Sequence, residues 1–261
     1  DRVEYHIDKR IMNRSHSFWS LGFCTAGLFG ALFSQVQISP TIHFTISFFA
    51  GSVLALYFSF RYQAAKSRPN SNDKTSTFVV PNKGVLALVI FTLSAMLIEG
   101  AGIDWSVIFM RDIFGTPAFV NGTALFLGAF AQFLVRYFAD SIVERYGSET
   151  VARSSIVAMF IGLMIISLTD KPYFALIGFT LMGGGTAVLF PLAVSAAAQK
   201  SDRSAATNVA SLAQLSFVVF LLGPPLLGFI AEKFGIRFSF AICLPLLFLS
   251  WIFVFSLKKK V

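Results

Sequence analysis

The sequence predicts an all-α, polytopic membrane protein with eight transmembrane helices. Hydrophobic residues make up 56% of the 261 residues and charged residues only 13%, roughly half the charged share of a soluble domain. The apolar residues gather in runs of about 20, each long enough to cross roughly 30 Å of hydrocarbon as a helix. The ten-residue alternating segments of an outer-membrane barrel are absent from the sequence.

The spans and the polar stretch between them give the domain organisation. The predicted spans lie near residues 17–36, 43–60, 84–109, 119–139, 155–169, 173–197, 208–231 and 239–257. The polar stretch between the second and third spans is rich in Ser, Asn, Pro and Lys, a composition typical of a mobile linker. We therefore predict two helices of one bundle in residues 1–60, a cytoplasmic linker in 61–83 and a six-helix bundle in 84–261.

Lys and Arg are distributed unevenly between the two ends of the spans. Sixteen lie on the side that holds residues 1–15 and the linker, against four on the other side, Arg111, Lys171, Lys233 and Arg237. Basic residues accumulate on the cytoplasmic side of inner-membrane proteins. The pattern predicts an inner-membrane protein with both ends of this chain in the cytoplasm. The net charge of +8 is spread over the connections, which does not favour nucleic-acid binding.

The third span carries two acidic residues, whereas six of the eight spans have no charged residue at all. A carboxylate at membrane depth is costly, so it usually faces a partner or a watery cavity. Glu99 and Asp104 lie about 140° apart on an unbroken helix, and a local break at Gly100 and Gly102 would bring them together. We predict that Glu99 binds a proton or substrate, and that Asp104 and Trp105 contact the outer cavity or anchor the helix at the interface.

Three polar side chains in other spans are further candidates for substrate or proton binding: Asn121 and Gln132 in the fourth span and Gln214 in the seventh. A hydrogen bond between helices is the alternative fate of each. The sequence has no GxxxxGK[ST] phosphate loop, no HExxH and no cluster of metal ligands. We therefore predict no cofactor, no metal and no site in this chain that hydrolyses a nucleotide to drive transport.

Small residues and prolines mark places where helices pack closely or bend. In the seventh span Gly223, Pro224 and Pro225 predict a helix break, because proline removes backbone hydrogen bonds. Glycines also cluster in the first span and in the sixth, at Gly183–Gly185. Close packing and a moving hinge both remain open for these clusters.

The segment from Val135 to Arg153 is the one charged island between two apolar runs. Arg136, Asp140 and Glu144 follow at intervals of four residues, which stacks them on one helical face. A surface pair of this kind contributes only a few tenths of a kcal/mol. At a closing interface between helices, partial desolvation would turn the pair of Arg136 and Asp140 into a latch.

Four stretches resemble a known family. They are AGIDWSVIFMRDIFGTPAFVNGTALFLGAFAQFLVRYFADSIVERYG, GGGTAVLFPLAVSAA, GPPLLGFIAEKFG and, near the start, NRSHSFWSLGFCTAGLFGALF. The first three look like the second half of a major facilitator superfamily transporter, closest to a bacterial inner-membrane branch similar to the fucose permease group. The fourth resembles the fifth helix of that branch. The resemblance implies helices five to twelve of a twelve-helix fold, truncated at the N-terminus.

The resemblance also implies rocking of two six-helix bundles about a central site. Asp140 matches the acid of the family's cytoplasmic loop motif and would help to hold that side closed, with Arg136 and Arg145 as basic partners and Gly147 at the turn. The family pattern often continues with basic residues after this glycine. Here residues 148–150, Ser-Glu-Thr, stand in their place, which weakens that side of the latch.

The prediction is therefore secondary active transport of a small solute by alternating access, driven by a proton gradient. Its partners are a small-molecule substrate, protons and the lipid bilayer, and we expect the full-length protein to be a monomer and not an enzyme. One alternative is a membrane-embedded transferase, which would need more acids or histidines at one membrane face. Another is a truncated, non-transporting facilitator that acts as an assembly partner. About four further spans encoded upstream would favour the transporter over the truncated form.

Overall fold

The computed structural model describes residues 12–61 and 79–258, and all regular structure in these ranges is helical. Eight helical spans are long and apolar enough to cross a membrane, as the sequence predicts. The helices are α1 (Met12–Gln35), α2 (Pro40–Arg61), α3 (Lys83–Phe114), α4 (Ala118–Tyr146), α5 (Ser148–Leu168), α6 (Pro172–Thr186), α7 (Leu189–Ala198), α8 (Ala205–Phe234), α9 (Ile236–Ala241) and α10 (Leu244–Ile252), followed by a 3₁₀ helix (Phe253–Leu257). The sixth span consists of α6 and α7, and the eighth consists of α9, α10 and the 3₁₀ helix.

The helices on either side of the charged island are longer than predicted. The fourth span was expected to end at residue 139 and the fifth to begin at 155, but α4 continues to Tyr146 and α5 begins at Ser148. Only Gly147 separates them, with φ of +80° and its N–H donated to the carbonyl oxygen of Val143. Glycine adopts this backbone conformation without steric cost. Most of the predicted linker, residues 62–78, lies outside the described residues.

Helix α3 runs through the middle of the described bundle without a break, so it lacks the local break at its glycines that would bring Glu99 and Asp104 together. The two glycines instead allow close packing. Gly100 lies against Pro224 and Phe220 of α8, and a Cβ at Gly102 would come within 2.8 Å of the Met182 side chain in α6. Small residues let membrane helices approach in this way.

An aromatic cluster joins the third, sixth and eighth spans. Phe109, Phe179 and Phe240 are almost fully buried, and each pair meets edge to face with ring centroids 5.4 to 5.6 Å apart. This geometry places the positive ring edge against the negative ring face. The cluster fixes how these three spans pack around the rest of the bundle.

The sixth span is the one whose interruption matters for the site. Its α-helix stops at Thr186 and restarts at Leu189, just after the glycine cluster. Pro191 lies four residues after Ala187 and has no N–H, so it cannot donate to the carbonyl of Ala187. By contrast, α8 is one continuous helix through Pro224 and Pro225, so the break predicted there is not observed.

The first span packs antiparallel along the fourth. A Cβ at Gly27 would come within 3.2 Å of the Leu125 side chain, and one at Gly122 would overlap the Cβ of Ala31. Near the opposite end of the bundle from the linker, the Phe119 N–H donates to Gln35 Oε1 at 3.1 Å. Helix α2, in contrast, has no buried residue among those described.

Candidate functional site

The site is built around a buried ion pair between the third and fourth spans. Arg136 Nη2 lies 3.1 Å from Glu99 Oε2 and 3.2 Å from Oε1. The side chains are only 5% and 9% exposed, respectively. Glu99 is sixteen residues from Lys83 and fifteen from Phe114, so it lies at the middle of α3. The sequence predicts the depth of Glu99 but not its partner.

The other nitrogens of Arg136 are held by neutral acceptors. Nε donates to the carbonyl oxygen of Ala187 at 2.8 Å, and Nη1 donates to Ser20 Oγ at 2.8 Å. The Ala187 carbonyl is available because Pro191 has no N–H to offer it. The break in the sixth span therefore supplies an acceptor that fixes the guanidinium group in place.

A chain of hydrogen bonds extends from the ion pair across three spans. The Ser20 hydroxyl donates to Gln132 Oε1 at 2.7 Å, and Gln132 Nε2 donates to Thr186 Oγ1 at 3.1 Å. Thr186 in turn donates to the carbonyl oxygen of Gly183. All three side chains are buried. The network ties the first and sixth spans to the same face of α4 that carries Arg136.

A cavity of about 30 Å³ lies beside the pair and is large enough for roughly one water molecule. Its polar side chains are Glu99, Gln132 and Thr186. The rest of its wall is mainly apolar and includes Phe23, Ile98, Phe179 and Met182. In this conformation the cavity is far smaller than a typical small-molecule pocket, so a solute could reach these polar groups only after the helices move apart.

Sequence reasoning missed several members of the site. Ser20, Thr186 and the Ala187 carbonyl were not predicted as site residues, and no role was predicted for His16. His16 is close enough to interact electrostatically with Arg136 and Glu99. One signal was available: His16 and Ser20 lie four residues apart and so share one face of α1.

Comparison with known proteins supports the resemblance found in the sequence. The family model for the Major Facilitator Superfamily matches residues 9–220 and, in a second match, residues 87–261. The chain belongs to the Major Facilitator Superfamily. It is thus a multi-pass membrane protein of a transporter family. No solved structure matches the chain.

Two relatives carry transporter names. The uncharacterised transporter y4wD of Sinorhizobium fredii is 30% identical over 241 residues, which cover 92% of this chain and 63% of the relative. An uncharacterised MFS-type transporter of Yersinia pestis is 30% identical over 173 residues, 66% of this chain and 45% of the relative. Membrane protein MosC of Rhizobium meliloti is 28% identical over 59% of this chain and 38% of its own length. The chain therefore spans less than two thirds of the length of each of these relatives. The narrower likeness to the fucose permease group stays a prediction.

The structure separates Asp104 and Trp105 of this superfamily member from the cavity at Glu99. Asp104 is exposed, and neither residue lines that cavity. The ring of Trp105 packs against Gly228 of α8, and its Nε1 is buried without a hydrogen-bond partner among the described residues. Trp105 thus contributes to helix packing, whereas Asp104 lies on a different face of α3 from Glu99.

Asn121 and Gln214 also lie away from the cavity. Asn121, in the first turn of α4, accepts a hydrogen bond from the Thr116 hydroxyl at 2.5 Å. Gln214 accepts from the Val79 N–H at 3.1 Å, at the end of the segment that leads into α3. Of the three polar candidates, only Gln132 belongs to the site.

The residues that the superfamily resemblance assigns to a cytoplasmic gate do not all lie together in the structure. Because α4 continues to Tyr146, Arg136 lies ten residues, about 15 Å, from the end of its helix. It therefore does not lie at the cytoplasmic end of the span, where the latch with Asp140 was predicted. Its three nitrogens bond within the central site instead. Asp140 and Arg145 remain in the last two turns of α4, where the Arg145 guanidinium lies over the Tyr146 ring.

Proposed function

We propose that this protein takes part in secondary active transport of a small solute across the inner membrane, by alternating access and coupled to protons. The observation that carries the proposal is the buried pair of Glu99 and Arg136 beside a cavity, midway along the membrane spans. The transporter names of the relatives support it. Coupling would arise because Glu99 takes up and releases a proton as the cavity opens to each side.

The energetics of the pair support a functional role. Each ion loses several kcal/mol of hydration when it is buried, and a well-packed apolar pair is often at least as stable. Ionisable residues inside membrane spans therefore usually mark substrate or ion pathways. Packing alone does not require Glu99 or Arg136 at the middle of a helical bundle.

The first span is proposed to belong to a different bundle from the fourth. In this arrangement, the contacts of Ser20 with Arg136 and Gln132 join the two bundles at the site itself. Asp140, Arg145 and Gly147 remain the proposed cytoplasmic gate, and Arg136 is assigned to the central site instead. We expect Asp140→Asn to slow turnover far more than it weakens substrate binding.

The proposal is tested with the full-length protein in two stages. A thermal-stability screen of sugars, amino acids, organic acids and drugs identifies compounds that raise the melting temperature. Uptake of those compounds into proteoliposomes is then measured with and without an imposed pH gradient. We expect accumulation driven by the gradient and abolished by a protonophore.

The matched variants for this assay are Glu99→Gln and Asp112→Asn. Asp112 lies on the same helix but is exposed at its outer end, where it pairs with Arg111. We expect Asp112→Asn to keep gradient-driven uptake and Glu99→Gln to lose it. Uptake that ignores the pH gradient, together with a fully active Glu99→Gln variant, would rule out proton coupling through Glu99.

A further inference from the structure

The arrangement of acceptors around Arg136 indicates the charge of the transported solute. We propose that the site binds a small solute carrying a carboxylate, which takes the place of the Glu99 carboxylate on Arg136 when Glu99 is protonated. This inference rests on the proposed function, because it names the substrate class of the same site. It commits to an anion rather than to a sugar or an amine.

The guanidinium stays in position without Glu99. Its Nε and Nη1 are bound by the Ala187 carbonyl and the Ser20 hydroxyl, which are both neutral and both outside α3. Of the three nitrogens, only Nη2 donates to a carboxylate, through its two contacts with Glu99. If Glu99 withdraws, Nη2 remains aimed at the same point and is ready for another carboxylate. Arginine is well suited to such contacts because its planar donors match carboxylate oxygens.

The charges around the pair favour an anion. While Glu99 is ionised, the pair is neutral overall, and protonation of Glu99 would leave a buried cation without a counter-charge. Among the described residues, the titratable group that interacts with the pair from another span is His16 of the first span. Asp104 is on the same helix as Glu99 but lies on another face of α3. His16 can only be neutral or positive. A solute carboxylate would restore neutrality, whereas an amine would add a second positive charge.

The cavity indicates how the solute approaches. Glu99 lines the cavity but Arg136 does not, and Arg136 Nη2 is already bound by both oxygens of Glu99. An incoming carboxylate must therefore displace Glu99 rather than bind beside it. Gln132 and Thr186 offer polar contacts, and the wall also includes the apolar side chains of Phe23, Phe179 and Met182. Because the cavity now has room for about one water molecule, it must widen before a solute with a short hydrocarbon body can enter.

The exchange balances in protons and charge. A proton from the cavity forms an O–H bond on Glu99, the ion pair breaks, and the solute carboxylate accepts hydrogen bonds from the N–H groups of Arg136 Nη2. On the other side of the membrane the solute leaves, Glu99 releases the proton and the ion pair forms again. One proton and one negative charge cross together, so the cycle moves no net charge.

The experiment uses three probes that match in size and differ in charge: propionate, propionamide and propylammonium. Binding to the purified full-length protein is measured by thermal shift and by titration calorimetry at pH 5 and pH 8. We expect a saturable rise in melting temperature with propionate alone, larger at pH 5. In Glu99→Gln the competing carboxylate is gone, so propionate affinity at pH 8 should rise at least tenfold and lose its pH dependence.

The double variant Glu99→Gln/Arg136→Gln leaves neither charge in the site and should bind no propionate. Arg136→Lys keeps the positive charge without the planar donors, and we expect it to bind propionate at least tenfold more weakly than the parent protein. Asp112→Asn is the matched control and should bind as the parent does. Together the variants separate loss of the binding group from loss of folding.

Either of two results would overturn the inference. One is equal or stronger binding of propionamide or propylammonium, and the other is no binding of propionate to the parent protein or to Glu99→Gln at either pH. The proposed function is judged separately, by gradient-driven uptake of compounds from the stability screen. A protein that accumulates a sugar or an amine with protons would refute the carboxylate site and leave proton-coupled transport standing.

Discussion

At the scale of single residues, the pair of Glu99 and Arg136 makes the stability of the protein depend on both charges at once. Removing one partner leaves a buried, uncompensated ion and costs about 3 to 5 kcal/mol. We therefore expect Arg136→Gln to lower the free energy of unfolding in detergent by that amount. Glu99→Gln/Arg136→Gln should be less damaging than Arg136→Gln alone. Losses that simply add in the double variant would contradict the energetic coupling of the two residues.

The sequence predicts a functional acid at Glu99 but does not predict that Arg136 is its partner. Glu99 stands out because it is an acid in the middle of an apolar run. Its partner is hidden because Arg136 belongs to another helix, and the rotation of two helices about their axes is set by packing, not by spacing along one chain. The pattern of Arg136, Asp140 and Glu144 points to one helical face, but it does not say what that face meets. In the structure it meets Ser20 and Ala187, from the first and sixth spans.

At the scale of helices, we predict opposite effects on stability for alanine substitutions at two adjacent glycines in α6. A Cβ at Gly183 would overlap the backbone carbonyl of Gly128, whereas one at Gly184 would lie 3.7 Å from the nearest side-chain atoms, an ordinary contact. We expect Gly183→Ala to lower stability by about 1 to 3 kcal/mol, because overpacking forces the backbones apart. Gly184→Ala should be neutral or slightly stabilising. Melting temperatures measure both, and equal effects would show that α4 and α6 do not meet closely at Gly183.

The break in the sixth span gives a prediction about function. Pro191→Ala would add an N–H that competes with Arg136 Nε for the Ala187 carbonyl. A hydrogen bond to a charged group contributes about 1.5 to 3 kcal/mol, so we expect uptake to fall about tenfold or more while the protein still folds. Pro172→Ala is the matched control, because Pro172 begins α6, where a missing N–H costs nothing. Normal uptake by Pro191→Ala would remove the role of the break.

At the scale of the whole molecule, the eight spans could be predicted because their apolar runs match the thickness of a bilayer. The ends of the helices and their interruptions could not. The connection between the fourth and fifth spans was expected to cover about residues 140–154, yet α4 continues to Tyr146 and α5 begins at Ser148, with one glycine between the helices. A break was predicted at Gly223, Pro224 and Pro225 in the seventh span, but α8 is continuous there, and the observed interruption lies in the sixth span, between Thr186 and Leu189.

If the first and fourth spans belong to different bundles, as proposed, alternating access would require them to separate on one side of the membrane. Gln35 and Phe119 meet at the ends of these spans farthest from the linker. We expect a cleavable bifunctional maleimide between Gln35→Cys and Phe119→Cys to stop uptake, and cleavage to restore it. The native Cys24 and Cys243 are buried, and each single variant serves as a control. Undiminished uptake by fully cross-linked protein would show that this contact does not open during transport.

The central claim is that Glu99 carries the coupling proton, and one paired measurement tests it most directly. In the same proteoliposomes, exchange of labelled for unlabelled substrate is compared with net uptake driven by a pH gradient. Exchange requires no release of the proton, whereas net uptake does. The account predicts that Glu99→Gln retains exchange at all pH values and loses gradient-driven accumulation. Accumulation by Glu99→Gln equal to that of the parent protein would contradict the account.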